Sequence, residues 1–226
     1  MCLSSTTIRP MAPAASWTAS RRVTRVHVIH RSGKLGLGTA YVRGFKHAIE
    51  HGYDVVFEMD ADFSHGPRYL PQFLQAAESA DLVIGPRYSA GGGTPNWQPI
   101  RRFSGGGGNM FARTMLGIPI HDCTGGYHCY SVASLASLNL DTISAQGYAF
   151  QVELAYNIWK SGYRWCEAPI IFEDRRVGKS KMSRKIFVEA FVWVVRARMT
   201  GDREVRMPPA GAHPVLGARS QRSVMR

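Results

Sequence analysis

Apolar positions along this chain keep two spacings by turns. Ala40, Phe45, Ala48 and Ile49 recur at helical intervals and give out at Gly52, after a stretch punctuated by Gly33, Gly36 and Gly38; this predicts a helix. Asp54 to Met59 follows as a short β-branched and aromatic run, the composition of a strand buried on both faces. Val26 to Ile29 has strand character ahead of the helix, which makes a strand, helix, strand unit. The alternation then repeats. Leu70, Phe73, Leu74 and Ala77 share one side of a helix predicted over 67–80, and DLVIGPRY supplies the next strand. GYAFQVELAYNIWKSGY reads as an amphipathic helix closed by Gly162, RWCEAPIIFEDR as a strand, and Lys185 to Arg198 as a final apolar helix. The fold predicted is α/β, a mostly parallel sheet flanked by helices.

Two stretches resist this pattern. IRRFSGGGGNMFARTMLG turns helical towards its end but holds four consecutive glycines, each costing a helix roughly 1 kcal/mol relative to alanine; some of them are expected to have a steric purpose. DCTGGYHCYS reads as a glycine-bearing turn into a strand. Beyond Gly201 the Pro, Gly, Arg and Ser content predicts a disordered basic tail over 201–226.

Composition then narrows the function. A length of 226 residues with 45% hydrophobic content suits one soluble domain. A net charge of +12 would on its own point to nucleic acid or an anionic membrane. Residues 1–31 hold five arginines and no acid, and residues 199–226 hold five against two acids, so only +4 is left for the rest. That remainder lacks an interleaved basic and aromatic nucleic-acid motif, and nucleic acid is not expected as a partner. Cys2, Cys123, Cys129 and Cys166 lack CxxC spacing, which suits reduced thiols in a cytosolic setting. No signal-peptide core and no membrane-spanning run is visible, so the expected location is cytoplasmic or peripheral on a membrane.

The candidate chemistry lies where VVFEM runs into DADFSHGP. In an open α/β sheet, ligands bind beyond the carboxyl ends of strands. Side chains two apart on extended chain point the same way, so Asp60 and Asp62 can face one hard divalent cation, Mg²⁺ or Mn²⁺. Cations gather at other points of the chain: Arg87 in GPRY, Arg101 and Arg102 in RRFS, and Arg175, Ser180 and Lys181 around Gly178. Guanidinium groups and glycine-flanked amides are the groups that hold phosphate.

Taken in order, GKLGLGTAYVRGF, EMDADFSH, GYAFQVEL and FEDRRVGKSKM resemble the polyprenol-phosphate (dolichol-phosphate) mannose synthases, inverting family-2 glycosyltransferases of GT-A fold, over about Val26 to Thr200. The resemblance implies transfer of mannose from GDP-mannose to a polyprenyl monophosphate at the cytoplasmic face of a membrane, with a divalent metal and, in some settings, a membrane-anchoring partner protein. It implies that Asp60 and Asp62 hold the metal and the donor diphosphate. It places Arg87 in a basic segment at the site, Arg175, Ser180 and Lys181 in a phosphate-binding loop, and Gln151 and Glu153 in a segment lining the sugar and acceptor region. Asp62, Arg87, Gln151 and Glu153 are thus the expected catalytic residues, with Arg101 and Arg102 as further substrate contacts. Departures are Pro86 for the usual Ser, Ser64 where some members have Gln, and His128 where Arg is common, a change expected to weaken the hold on the acceptor phosphate.

The same resemblance expects a nucleotide-binding strand and a D-G-T-bearing loop ahead of residue 26, and neither is legible there. Residues 1–25 are therefore expected to be a disordered leader or an out-of-frame reading of that unit, and 26–200 a GT-A domain incomplete at its N-terminus. Read one frame on, Met11 with Ala12 forces a glycine and Trp17 with Thr18 an aspartate, and the glycine falls in the expected D-G-T. On that expectation a chain made as written lacks much of its nucleotide site. The alternatives to mannosyl transfer are an inactive remnant, a polyprenyl-phosphate glycosyltransferase using another sugar nucleotide, and a basic polyanion-binding protein.

Overall fold

The computed structural model describes residues 2–4, 28–173 and 184–200, with 34, 61, 63, 96, 144 and 146 excepted. Its sheet has five strands, β1 (Cys2–Ser4), β2 (Val55–Met59), β3 (Leu82–Ile84), β4 (His128–Ser131) and β5 (Trp165–Glu167), in the order β1-β2-β4-β3-β5. Around it lie α1 (Leu37–Glu50), α2 (Leu70–Ala76), α3 (Pro99–Leu116), α4 (Val132–Ser137), α5 (Tyr148–Lys160) and α6 (Arg184–Thr200).

Period-two alternation sends neighbouring strand residues to opposite faces, and both faces are covered. Val56, Leu82, Ile84 and Tyr130 pack with Tyr41, Phe45, Phe150, Leu154 and Ile158 in the larger core. Phe57, Val83 and Cys129 turn the other way, onto Phe73 of α2, Tyr127 and Ile170. Burial on two sides explains why these strands read as unbroken apolar runs.

The α/β reading holds, with one refinement. β1 runs parallel to β2 and β3 parallel to β5, whereas β4 is antiparallel to both β2 and β3. Four strands therefore share one direction and the central β4 opposes them. The strand expected at Val26–Ile29 is not formed in its described part, where residues 28–30 have no regular structure; the edge place beside β2 is taken by Cys2–Ser4, from the stretch expected to be an unstructured leader. The rest of that leader, and the 201–226 tail, lie outside the described residues.

Two further differences have local causes. α3 starts at Pro99 and runs straight through the four glycines. A β-carbon on Gly105 would lie 2.5 Å from the Tyr88 hydroxyl, so this glycine lets the helix press against the strand-end loop, while Gly106, Gly107 and Gly108 face open space. The regular strand expected over 164–175 ends at Glu167, but its hydrogen bonds run on past Pro169, whose missing N–H falls between them: the Ala168 N–H donates to the Ile84 carbonyl at 2.8 Å and the Ile170 N–H to the Pro86 carbonyl at 3.3 Å, and a bridge then pairs Gly93 with Ile171. Among the described residues no helix is long and apolar enough to cross a membrane.

Candidate active site

The reversal of β4 decides what meets what. His128, its first residue, pairs with Glu58 near the end of β2 and with Ile84 at the end of β3. The turn entering β4 therefore arrives at the same sheet edge where β2 releases Asp60, β3 releases Arg87, and β5 leads to Phe172.

At the end of β2 the chain is tied down residue by residue. Asp62 Oδ1 accepts from the Ser64 hydroxyl at 2.5 Å and from the Ser64 N–H at 3.1 Å. The Asp60 N–H donates to His65 Nδ1 at 2.8 Å, so this ring nitrogen carries no proton, and its 4.0 Å approach to Asp60 Oδ2 is not an ion pair. His65 is buried between Tyr127, 4.9 Å away, and the edge of Phe172, at 5.3 Å. The Tyr127 hydroxyl donates to the Gly66 carbonyl at 3.1 Å. A β-carbon on Gly126 would stand 3.6 Å from His65, 3.9 Å from Gln151 Nε2 and 4.0 Å from Asp60 Oδ1, so the turn entering β4 lies against the DxD segment. The Asp60 side chain itself keeps 37% exposure. Two carboxylates on an open strand end form the hard oxygen donor set of Mg²⁺ or Mn²⁺, which takes one or two protein carboxylates and fills its remaining positions with water and substrate phosphate. The residues present fit such an ion.

Arg87 is held by a carboxylate that the sequence pattern did not single out. Its Nε and terminal nitrogen donate to Asp122 at 2.8 and 2.9 Å, its backbone N–H reaches the same carboxylate at 3.0 Å, and the terminal nitrogen also donates to the Thr124 hydroxyl at 2.9 Å. Three rings, of Tyr88, Trp97 and Phe172, surround the guanidinium at 5.1, 5.6 and 5.9 Å. Burial alone would raise the Asp122 carboxyl, but the Arg87 charge and hydrogen bonds outweigh it and hold it below the usual carboxylate range. Asn109 of α3 sets this acid in place, donating to the His121 carbonyl and accepting from the Cys123 N–H on either side of it.

Arg101 stacks on Trp97 at 3.9 Å and lines a cavity of about 400 Å³ with Arg87 and Thr124; Arg102, one residue on, faces solvent. The other walls are apolar: Phe111 and Ala112 of α3, Val152 of α5, and Val188, Phe191 and Val194 of α6. Phe111 and Phe191 stack at 4.8 Å, joining α3 to α6. Gly105 and Gly108 complete the α3 wall.

Gln151 and Glu153 divide. Glu153 accepts from the Ala145 N–H at 2.9 Å and so fixes the loop ahead of α5. Gln151 donates to Glu58, a fully buried acid two residues before Asp60. The Glu58 Oε2 lies 3.0 Å from the Tyr130 hydroxyl, which is 2.7 Å from His128 Nδ1. Burial pushes the Glu58 carboxyl up to about 8 and the His128 imidazole down to about 4, leaving a neutral chain of groups at pH 7. His128 is thus an interior residue of the sheet, and its difference from Arg is spent in the core rather than at an acceptor phosphate. Arg175, Ser180 and Lys181 lie outside the described residues.

The Glu58 proton has a measurable consequence. Between pH 4.5, the ordinary value, and about 8 the folded chain keeps a proton that the unfolded chain has lost, so stability falls as pH rises through that window, by up to about 1.4 kcal/mol per unit. Urea midpoints at pH 5.5 and 7.5 are expected to show this loss, and Glu58→Gln to lessen it.

The sequence matches a known family. The chain belongs to glycosyl transferase family 2, whose model matches residues 12–138. It is 45% identical over 182 residues to an undecaprenyl-phosphate mannosyltransferase of Micrococcus luteus, covering 79% of this chain and 75% of that one. Its identity to a polyprenol monophosphomannose synthase of Mycolicibacterium smegmatis is 40% over 186 residues, 80% and 70% of the two chains. Among solved structures, glucosyl-3-phosphoglycerate synthase from Mycobacterium tuberculosis, in complex with Mn²⁺, UDP and phosphoglyceric acid, superposes with a TM-score of 0.51 at 17% identity. That match covers 80% of this chain and 58% of the other, and it shows a shared GT-A fold.

Proposed function

We propose that this chain transfers mannose from GDP-mannose to a polyprenyl monophosphate, with inversion, giving polyprenyl-phosphate-mannose for lipid-linked glycan synthesis. The observation that carries the reading is the cavity between α3 and α6. It joins an apolar slot to the guanidinium groups of Arg101 and Arg87, the lining suited to a phosphate borne on a hydrocarbon chain. Trp97 Nε1 at its wall is a buried donor without a hydrogen-bond partner among the described residues. The names of the two relatives support mannose as the sugar and a polyprenyl phosphate as the acceptor.

The chemistry follows from charge. The acceptor phosphate is an anionic nucleophile at neutral pH, so the site needs no strong general base. Arg101 and Arg87, the latter braced by Asp122 and Thr124, orient the phosphate, and the α3 and α6 walls hold the first isoprene units out of water, which aligns the attacking oxygen with the anomeric carbon. Asp60 and Asp62 would hold Mg²⁺ or Mn²⁺, which supplies positive charge to the departing nucleoside diphosphate. Gln151, beside Gly126 and Asp60, borders the sugar.

A membrane surface fits the same face. Ile100, Phe103 and Met110 of α3 and Val188, Phe191, Val192 and Met199 of α6 are exposed, with Arg102, Arg196 and Arg198 exposed on the same two helices. Apolar side chains beside basic ones suit peripheral binding to an anionic bilayer.

Gly108→Leu tests the acceptor site. A β-carbon there meets nothing within 4 Å, and leucine favours helix over glycine by about 1 kcal/mol, so the fold stands while the slot is filled. Transfer assays with labelled GDP-mannose and polyprenyl phosphate vesicles are expected to show the lipid KM raised about tenfold or more, the size of losing one or two buried contacts, with the KM for the donor unchanged. An unchanged lipid KM would remove the cavity from the site. Equal transfer from UDP-glucose would move the sugar assignment and leave the acceptor assignment intact.

A further inference from the structure

A separate group of ligand-bearing side chains sits at the other end of the molecule. Among the described residues His47, Glu50 and His51 bring one imidazole nitrogen each and a carboxylate oxygen within 4.8 Å of one another. Their spacing, i, i+3 and i+4, places all three on one face at the end of α1, with His51 as its C-capping residue. The two rings lie 3.9 Å apart between centroids at 36°. His51 Nδ1 is 2.8 Å from the His47 carbonyl; donating there fixes the proton on Nδ1 and leaves Nε2 as a lone-pair donor. A backbone carbonyl in that role is the usual outer-shell partner of a metal-binding histidine. The helix C-terminus adds the negative end of its dipole, which favours a cation.

We infer that this turn is a binding site for a borderline divalent transition ion, Zn²⁺, Ni²⁺ or Cu²⁺. Two imidazoles and one carboxylate suit these ions and not Mg²⁺, which prefers oxygen donors. The site is independent of the DxD segment. α1 leads through Gly52 into the start of β2, whereas Asp60 follows its end, and a strand of five residues separates them, roughly 17 Å at about 3.3 Å per residue. Glu50 and His51 are exposed and His47 is half-buried, so water fills the remaining positions and the ion exchanges readily. Bound there, it ties the last turn of α1 to itself and raises the stability of the folded chain.

The test uses the full chain without a histidine tag, in buffer with excess Mg²⁺. Isothermal titration with NiCl₂ is expected to show one equivalent bound, and Cu²⁺ electron paramagnetic resonance to show two nitrogen ligands. His47→Ala and His51→Ala should each weaken Ni²⁺ binding at least about tenfold, the scale of losing one ligand from a three-ligand site, and leave one nitrogen in the Cu²⁺ spectrum. Asp60→Ala should leave both readings unchanged. No Ni²⁺ binding by the parent chain, binding that survives both histidine changes, or binding lost in Asp60→Ala would each overturn the assignment. Far-UV circular dichroism of the histidine variants confirms that α1 is retained, His47 being half-buried and His51 an exposed residue just past its end.

Discussion

Asp60→Asn and Asp62→Asn are each expected to lower the rate of sugar transfer by about 10³-fold, the scale of losing a charge that stabilises a developing anion in a transition state. Asparagine is the informative replacement. At position 62 it keeps an oxygen able to accept from the Ser64 N–H and hydroxyl, so the loop stays anchored while the carboxylate charge is lost. At position 60 the tie to His65 runs through the backbone N–H, which any substitution retains. Neither variant should therefore lose fold, and thermal unfolding should stay close to that of the parent chain. Initial rates against Mg²⁺ concentration give the measurement: the metal requirement should rise steeply in both variants. Rates within about threefold of the parent would mean that these carboxylates do not hold the ion.

Asp122→Ala is expected to produce the largest loss of stability, about 3 to 5 kcal/mol, because it strands a buried guanidinium without its partner. Arg87 gives Asp122 three of its hydrogen bonds, and the surrounding rings of Tyr88, Trp97 and Phe172 offer no other anion. The pair also carries a pH signature. Since the Asp122 carboxyl is held below its ordinary value, its contribution is complete above the usual carboxylate range and fades as pH falls through the lowered value. The double variant Arg87→Met with Asp122→Ala removes both charges and should recover part of the loss, a non-additivity that a purely local packing defect would not give. Urea midpoints of the single and double variants measure it. Asp122 thus fixes the position of the Arg87 guanidinium, and on the proposed function this holds it in place before any phosphate arrives.

How much of this was visible in the chain depends on whether a neighbour far along the sequence was needed. β2 and its two aspartates could be read because the strand is buried on both faces and ends in a loop, a purely local pattern. The direction of β4 could not be read, since a short apolar run such as HCYS looks the same in either sense, and it is that direction which brings Gly126 to Asp60. Arg87 was visible as a cation at a strand end, but its partner lies 35 positions on, in a turn whose only local mark is two glycines. Glu58 read as an ordinary strand residue; its meaning comes from Gln151, 93 positions away. The glycine run read as a weak point in a helix, and it became the wall of a cavity only once α6 was packed beside α3. Cys2–Ser4 lacked any pattern of its own, being an edge strand defined by β2 alone.

The most direct test of the whole account is a single assay: the chain, labelled GDP-mannose, and vesicles carrying polyprenyl phosphate, with the lipid extracted and counted. The account predicts label in the lipid with Mg²⁺ or Mn²⁺, none in excess chelator, recovery when the ion is returned, and none at any ion concentration with the Asp60→Asn, Asp62→Asn double variant. Label that enters the lipid equally in chelator, or equally with that double variant, would contradict it.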